Sequence, residues 1–446
     1  MLTPIDFSFL RVSLVGVCLL GVLTKTAHIY LPRISSVIRT ITDISFKFSG
    51  DDDDNYHDNI TELIGDTPLI RIKCLSELTG FDILGKCEFL NPGGSVKDRV
   101  ALKIIQNAER EGKISRNTVP RCRIFEGTSG STGISLAYIA RSLGYEAEIV
   151  LPDDTATEKS ELMSKMGSTV IKVRPVGIAN RLHYVNVARE RSRQFELNNI
   201  NDQSSSTKGS GRSLFVDQFE NPLNLIAHYE GTGPEIWKQT KGKIFGFVSG
   251  VGTGGTLSGV GGFLRSKDPD VKIIVVDPPG SGVFNKVKEG VMFSETEVEG
   301  KRRRHQMDTV VEGIGLNRMT YNFTRSIDLI DDAIKVTDQE AITMSRYIVQ
   351  KEGLFLGSSS IVNLVGALKF CKKFSNRSKN TRENYKGLRS SYDGRVDSGD
   401  LERLKVVCIL CDGGQRNLSK FWNDDYLIQK GFRIDDHLSF DPISYF

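Results

Sequence analysis

The stretch from Lys243 to Leu264, KIFGFVSGVGTGGTLSGVGGFL, decides the fold class. Its first part, Lys243 to Val248, is apolar and reads as a strand, and Leu257 to Leu264 reads as a helix. Between them, Ser249-Gly250-Val251-Gly252-Thr253-Gly254-Gly255-Thr256 has few side chains to hold a ligand off the backbone. Such a loop lets backbone N–H groups close on a phosphate without a cation. No Gly-Lys-Ser/Thr ends it, and its spacing departs from the dinucleotide fingerprint, so a single monophosphate is the guest that fits. By itself a glycine loop is a weak signal, and an ordinary turn fits it as well. Outward from this unit the same rhythm runs from Ile64 onward. Strand-like runs at Ile83-Leu84, Arg123-Ile124-Phe125, Ala147 to Leu151, Thr169 to Val173 and Lys272 to Val276 alternate with helical patterns. Val96, Val100, Ile104 and Ala108, three and four apart, typify the helices. Alternation of this kind predicts βαβ units and mainly parallel sheets.

At 446 residues the chain has room for two domains, each with its own core. A net charge of +4 is too small to imply a nucleic-acid partner, and the basic run Lys301-Arg302-Arg303-Arg304-His305 reads as a solvated loop. Seven cysteines, odd in number and mostly in apolar company, suit reduced thiols. Cys408 and Cys411 form a C-x-x-C, but the run from Val406 to Cys411 reads as a buried strand rather than a redox or metal motif, and no metal site is read elsewhere. Asn198 to Ser213 and Ser375 to Glu402 are polar and read as surface insertions, because neither buries enough apolar area to offset its ordering entropy.

The N-terminus stands apart. Phe7 to Leu23 is apolar with one charge, Arg11, and just reaches the length of a membrane span. No small-x-small cleavage site follows it, and Lys25, Arg33, Arg39 and Lys47 place the body on the cytosolic side. The expectation is an anchor over residues 1–30, a linker over 31–59 with the acidic run Asp51 to Asp54, and a catalytic region over 60–430. A small domain of about 95–195 is expected inside that region. A short anchor with basic flanks suits the mitochondrial outer membrane.

Three further constellations carry chemistry. In Asn91-Pro92-Gly93-Gly94-Ser95-Val96-Lys97-Asp98-Arg99, Pro-Gly-Gly makes a turn and Ser95 is the expected N-cap. Lys97 then falls in the first helical turn, where the helix dipole and burial both disfavour an ammonium. A lysine that attacks an aldehyde must be neutral, so the place suits a Schiff base; by position alone a surface lysine fits too. Glu126-Gly127-Thr128-Ser129-Gly130-Ser131-Thr132-Gly133 precedes the helical run Ile134 to Arg141 and offers N–H and O–H donors suited to a carboxylate, or simply a capped turn. Gly357-Ser358-Ser359-Ser360 precedes the helix Ile361 to Phe370 and alone is a polar loop.

In this order, the four constellations resemble the cysteine synthase and cystathionine β-synthase family of fold-type II pyridoxal-phosphate enzymes. The resemblance runs from Ile64-Gly65-Asp66-Thr67-Pro68-Leu69 to Cys411-Asp412-Gly413-Gly414-Gln415-Arg416. It implies two open, mostly parallel α/β domains of the tryptophan-synthase-β-like fold and a homodimer. It implies that Lys97 carries pyridoxal 5'-phosphate as a Schiff base, that Gly252, Thr253, Gly254, Gly255 and Thr256 bind the phosphate, and that Ser359 meets the pyridine nitrogen. Thr128, Ser129, Gly130 and Thr132 would take the substrate carboxylate, helped by Gln218. A hydroxyl at the ring nitrogen makes a weaker electron sink than a carboxylate would, which favours prompt loss of a β-substituent. The implied reaction removes the Cα proton with Lys97, expels the β-substituent, and adds sulfide to make L-cysteine from O-acetylserine or another activated serine. Condensation of serine with homocysteine and serine dehydration are the alternatives, and a non-catalytic cofactor scaffold is a third reading. Where the family usually has Asn beside the cofactor's 3′-oxygen, this chain has Ser131, which puts cofactor tilt, substrate choice and rate in question.

Overall fold

Among the described residues, the apolar runs become ten strands in two sheets. The computed structural model describes residues 56–201, 211–294, 309–379 and 403–434. In chain order the strands are β1 (Leu69–Arg71), β2 (Asp82–Cys87), β3 (Arg123–Gly127), β4 (Glu146–Pro152), β5 (Thr169–Val173) and β6 (Ser213–Phe215). They continue as β7 (Gly246–Gly250), β8 (Lys272–Asp277), β9 (Asp332–Lys335) and β10 (Lys405–Leu410). One sheet has the order β1-β2-β10-β7-β8-β9 and the other β5-β4-β3-β6. Only the β1–β2 pair is antiparallel; every other pairing is parallel. The expected α/β class with mainly parallel sheets is what the chain adopts.

Continuous apolar runs rather than alternating ones are what a parallel sheet covered on both faces requires. Strand β10 shows it. Val406, Cys408 and Leu410 join the core beneath the helices Asp338–Glu352 and Ser358–Lys379, whereas Val407 and Ile409 join the opposite core, with Leu257, Val260 and Leu264 of the helix Gly255–Lys267. Strand β8 divides the same way, Ile274 and Val276 to one side and Ile273 and Val275 to the other. A third core packs the helices Lys97–Arg110 and Ser131–Ser142 against Ile124, Ile149 and Leu151 of the four-stranded sheet.

Several local expectations shift. The helix carrying Lys97 starts at Lys97 with Val96 as its cap residue and no side-chain cap; Ser95 Oγ still accepts the Lys97 N–H at 3.3 Å. The strand of the opening stretch is Gly246–Gly250, and Ser358 to Ser360 begin a helix instead of a loop. The supposed insertion Asn198 to Ser213 begins as the end of the helix Tyr184–Asn201 and finishes in β6; the one from Ser375 begins inside the helix Ser358–Lys379. In each case only a polar end of a regular element was read as insertion, because the run of Asn and Ser there lacks the apolar period of the rest. The apolar segment Phe7 to Leu23, the linker's acidic run and the basic run at Lys301 lie outside the described residues. Among the described residues, no helix is long and apolar enough to cross a membrane.

Candidate active site

Strand β10 ends in a loop that organises the site. Val96 N donates to Cys411 O at 3.0 Å, and Ser95 bridges Asp412, so the residues just before Lys97 are strapped to the strand's end. Gly357 N donates to Asp412 O at 3.0 Å, and Ser360 Oγ donates to the same carbonyl, also at 3.0 Å. One loop therefore positions both Lys97 and Ser359. Ligands of open α/β sheets sit beyond the carboxyl ends of the strands, and this site follows that rule.

Lys97 lines a cavity of about 510 Å³, together with Thr128, Ser129, Ser131, Thr132, Gln218, Gly252, Thr253, Gly254, Thr256 and Ser359. Segments far apart in sequence thus meet. Burial is the main force pushing the Lys97 ammonium down from the usual lysine range, and Cys411 and Asp412 partly oppose it. Gly130 and Gly255 stand behind the wall. Gly130, at φ +137, makes room for the Lys159 side chain, and a Cβ on Gly255 would lie 1.9 Å from Asn224 Oδ1. Asn224 in turn donates to Thr253 Oγ1 at 2.9 Å and to Gln218 O at 2.7 Å. Thr132 Oγ1 donates to Gln218 Oε1 at 2.6 Å, tying the two expected carboxylate contacts together.

The glycine loop forms a cradle. Gly254, at φ +95, precedes the helix Gly255–Lys267 and supplies no side-chain cap, so that helix's first N–H groups lack intrahelical acceptors. A Cβ on Gly252 would lie 2.2 Å from Gly313 O, and one on Gly254 2.4 Å from Phe323 N. Glycines there let the loop pack against the backbone of Gly313 and Phe323. His228, fully buried and held neutral by burial, braces the loop: its Nε2 pairs with Thr256 Oγ1 at 3.2 Å and its Nδ1 with Thr232 Oγ1 at 3.0 Å.

A family profile described as "Pyridoxal-phosphate dependent enzyme" matches residues 60–380. The chain belongs to that family. Pyridoxal phosphate is its cofactor, and the protein is an enzyme. Cysteine synthase 2 of Schizosaccharomyces pombe is 43% identical over 413 residues, covering 92% of this chain and 94% of that protein. A protein named putative mitochondrial cysteine synthase in Saccharomyces cerevisiae is 45% identical over 369 residues, 82% of this chain and 84% of that protein. Cystathionine beta-synthase of Apis mellifera is 35% identical over 376 residues, 84% of this chain and 63% of that protein. The cavity fits the family's cofactor: the uncapped start of the helix Gly255–Lys267, preceded by Gly252, Thr253 and Gly254 on the cavity wall, and a lysine with its ammonium disfavoured face the same space.

The cavity also holds residues that sequence reasoning missed. Cys411 lies beyond β10, not within it, and lines the wall; burial pushes its thiol up to about 11, so it stays protonated. Asp412 lines the wall too, and its Oδ1 has no hydrogen-bond partner among the described residues. Lys159 and Glu312, both buried, form an ion pair at the cavity. His183 and Arg318 line it as well. Single residues, most of them in loops and Lys159 in a helix, carry no signal of their own, so only the topology brings them together.

Proposed function

We propose that the enzyme makes L-cysteine by replacing the β-substituent of an activated serine, O-acetylserine foremost, with sulfide. The observation that carries the reading is that Lys97, the Thr128 to Thr132 loop and the Gly252 to Thr256 cradle line one cavity. The names of its fungal relatives agree with it. In this reading Lys97 Nζ holds the cofactor covalently, the cradle N–H groups take its phosphate, and Ser359 Oγ meets the ring nitrogen. Bound pyridoxal phosphate withdraws electrons from the attached amino acid, which loosens the Cα proton and allows the β-substituent to leave. Thr128, Ser129, Gly130, Thr132 and Gln218 orient the substrate by its carboxylate, with the Thr132–Gln218 bond already formed. Lys97 Nζ takes the Cα proton; a low ammonium pKa suits a base.

The catalytic region is taken as 60–430, with a small domain at about 95–195, acting as a homodimer. The apolar segment Phe7 to Leu23 is taken as a tether to the mitochondrial outer membrane, a reading that rests on its composition, the name of the yeast relative agreeing only as to the mitochondrion. Assays of the purified protein with O-acetylserine, O-phosphoserine and serine, each with sulfide or homocysteine, test the activity. Cysteine formation from a serine ester and sulfide is expected. Faster cystathionine formation from serine and homocysteine would overturn it. Recovery of the chain in the soluble fraction after carbonate treatment of mitochondria would overturn the tether.

A further inference from the structure

His183 immediately precedes the helix Tyr184–Asn201, and its Nδ1 accepts the Val185 N–H at 3.2 Å. That contact fixes the tautomer, because an accepting Nδ1 leaves the ring proton on Nε2. Burial, aided by the charge of Arg318, drops the imidazole to about 4, so the ring is neutral near pH 7. The residue is only 9% exposed, it stacks on Tyr184 with ring centroids 4.1 Å apart, and it lines the cavity. A helix cap needs Nδ1 alone. The Nε2–H is a neutral donor with no acceptor among the described residues. Arg318 lines the same cavity, its guanidinium 4.9 Å from the Phe219 ring centroid. One of its nitrogens is paired with the partly exposed Glu220, and a guanidinium has five N–H donors in all. A cation and an unengaged N–H donor on one cavity wall make a site for a small anion.

Resting on the cysteine-forming reading above, we propose that His183 Nε2–H and Arg318 hold the second substrate, sulfide, as the hydrosulfide anion. The chemistry balances. The serine ester gives up its carboxylate and a Cα proton, the latter to Lys97. Hydrosulfide then forms the S–Cβ bond, and the proton returns to Cα, yielding cysteine and a carboxylate anion. The Arg318 charge and the His183 N–H together favour the anionic nucleophile over neutral hydrogen sulfide. Both residues are positioning residues for the nucleophile and are not needed to expel the leaving group.

The test uses the full-length holoenzyme and separates the two half-reactions. The absorbance change on adding the serine ester without sulfide reads the first, and the dependence of turnover on sulfide reads the second. His183→Phe keeps a ring against Tyr184 and removes the donor; Arg318→Gln removes the charge. Each is expected to raise the KM for sulfide roughly tenfold or more, as loss of a hydrogen bond to a charged group does, with the KM for the serine ester and the first half-reaction little changed. His183→Asn offers Oδ1 to the Val185 N–H and an N–H to the cavity, so it should recover much of the sulfide affinity; Arg318→Lys should do the same. An unchanged KM for sulfide in both removal variants would overturn the proposal, as would a rise confined to the ester, which would assign the wall to the first substrate. If no ester and sulfide give cysteine in the unaltered enzyme, the underlying activity fails first.

Discussion

Ser131 begins the helix Ser131–Ser142, lines the cavity, and uses its own carbonyl to accept from Ser135 Oγ at 3.0 Å. Its hydroxyl has no hydrogen-bond partner among the described residues and so is available to a ligand, but it is shorter than an amide and offers one donor instead of two. Ser131→Asn should leave cofactor content unchanged, since the covalent lysine and the glycine cradle lie elsewhere. It should shift kcat/KM among serine esters by roughly tenfold, the scale of one hydrogen bond to a charged group. Comparing kcat/KM for each ester at fixed sulfide checks this, and identical profiles would make the serine neutral. Lys97 poses a harder demand. Lys97→Ala should abolish turnover and the borohydride-stable adduct while retaining reversible cofactor binding through the cradle. Mass spectrometry that found the reduced adduct on another lysine would refute the assignment.

The short elements between strand and helix show how rigid the site is. Asp98, one residue after Lys97, accepts Gly93 N at 2.7 Å and so holds the Pro92 to Gly94 turn closed. Burial raises its carboxyl to about 6, against Ser135 and Arg416, which favour the ionised form. The folded chain thus binds a proton that the unfolded chain releases near pH 4, so ionising Asp98 costs stability as pH rises through about 4 to 6. Asp98→Asn should accordingly gain relative to the unaltered protein by up to about 2–3 kcal/mol between about pH 4 and about pH 7, read from urea unfolding at both. Parallel stability curves would show that Asp98 is not the titrating group. Gly255→Ala is a second case. The added methyl would displace Asn224 and, with it, the link between Thr253 and Gln218, so cofactor should dissociate more readily by absorbance titration. The central strands were readable before any coordinates because both faces of each are apolar, as Ile273 to Val276 illustrate, whereas the short, partly exposed β1, β6 and β9 were not. The glycine loop was readable from its place between a strand and a helix, although taken alone an ordinary turn fitted it as well. His183, Arg318, Glu312 and Cys411 were not, because each owes its place to long-range topology.

At the scale of the molecule, two sheets with separate cores share one cavity, and a buried ion pair fastens its wall. Lys159 lies on the helix Thr157–Lys165 beside the four-stranded sheet, with its side chain against Gly130 of the substrate loop. Its partner Glu312 precedes Gly313, whose carbonyl crowds Gly252 of the cradle. Glu312 N also donates to Ser358 Oγ at 3.0 Å, next to Ser359, and Lys420 Nζ lies 3.3 Å from Glu312 Oε1. The pair therefore ties the loop expected to hold the substrate carboxylate to the loop expected to hold the phosphate. Lys159 and Glu312 are 3% and 4% exposed, so removing Glu312 leaves the Lys159 charge with little water to solvate it, whereas removing Lys159 leaves Glu312 with Lys420. Glu312→Gln should destabilise the protein by about 3 kcal/mol and Lys159→Met by less, because Lys420 stays beside Glu312, and the double substitution should cost clearly less than their sum. Urea unfolding of the four proteins measures the coupling, and simple additivity would show that the contact carries no energy. The same variants should bind the serine ester less tightly while retaining covalent cofactor, because the fastening acts on the distance between the two loops and not on Lys97.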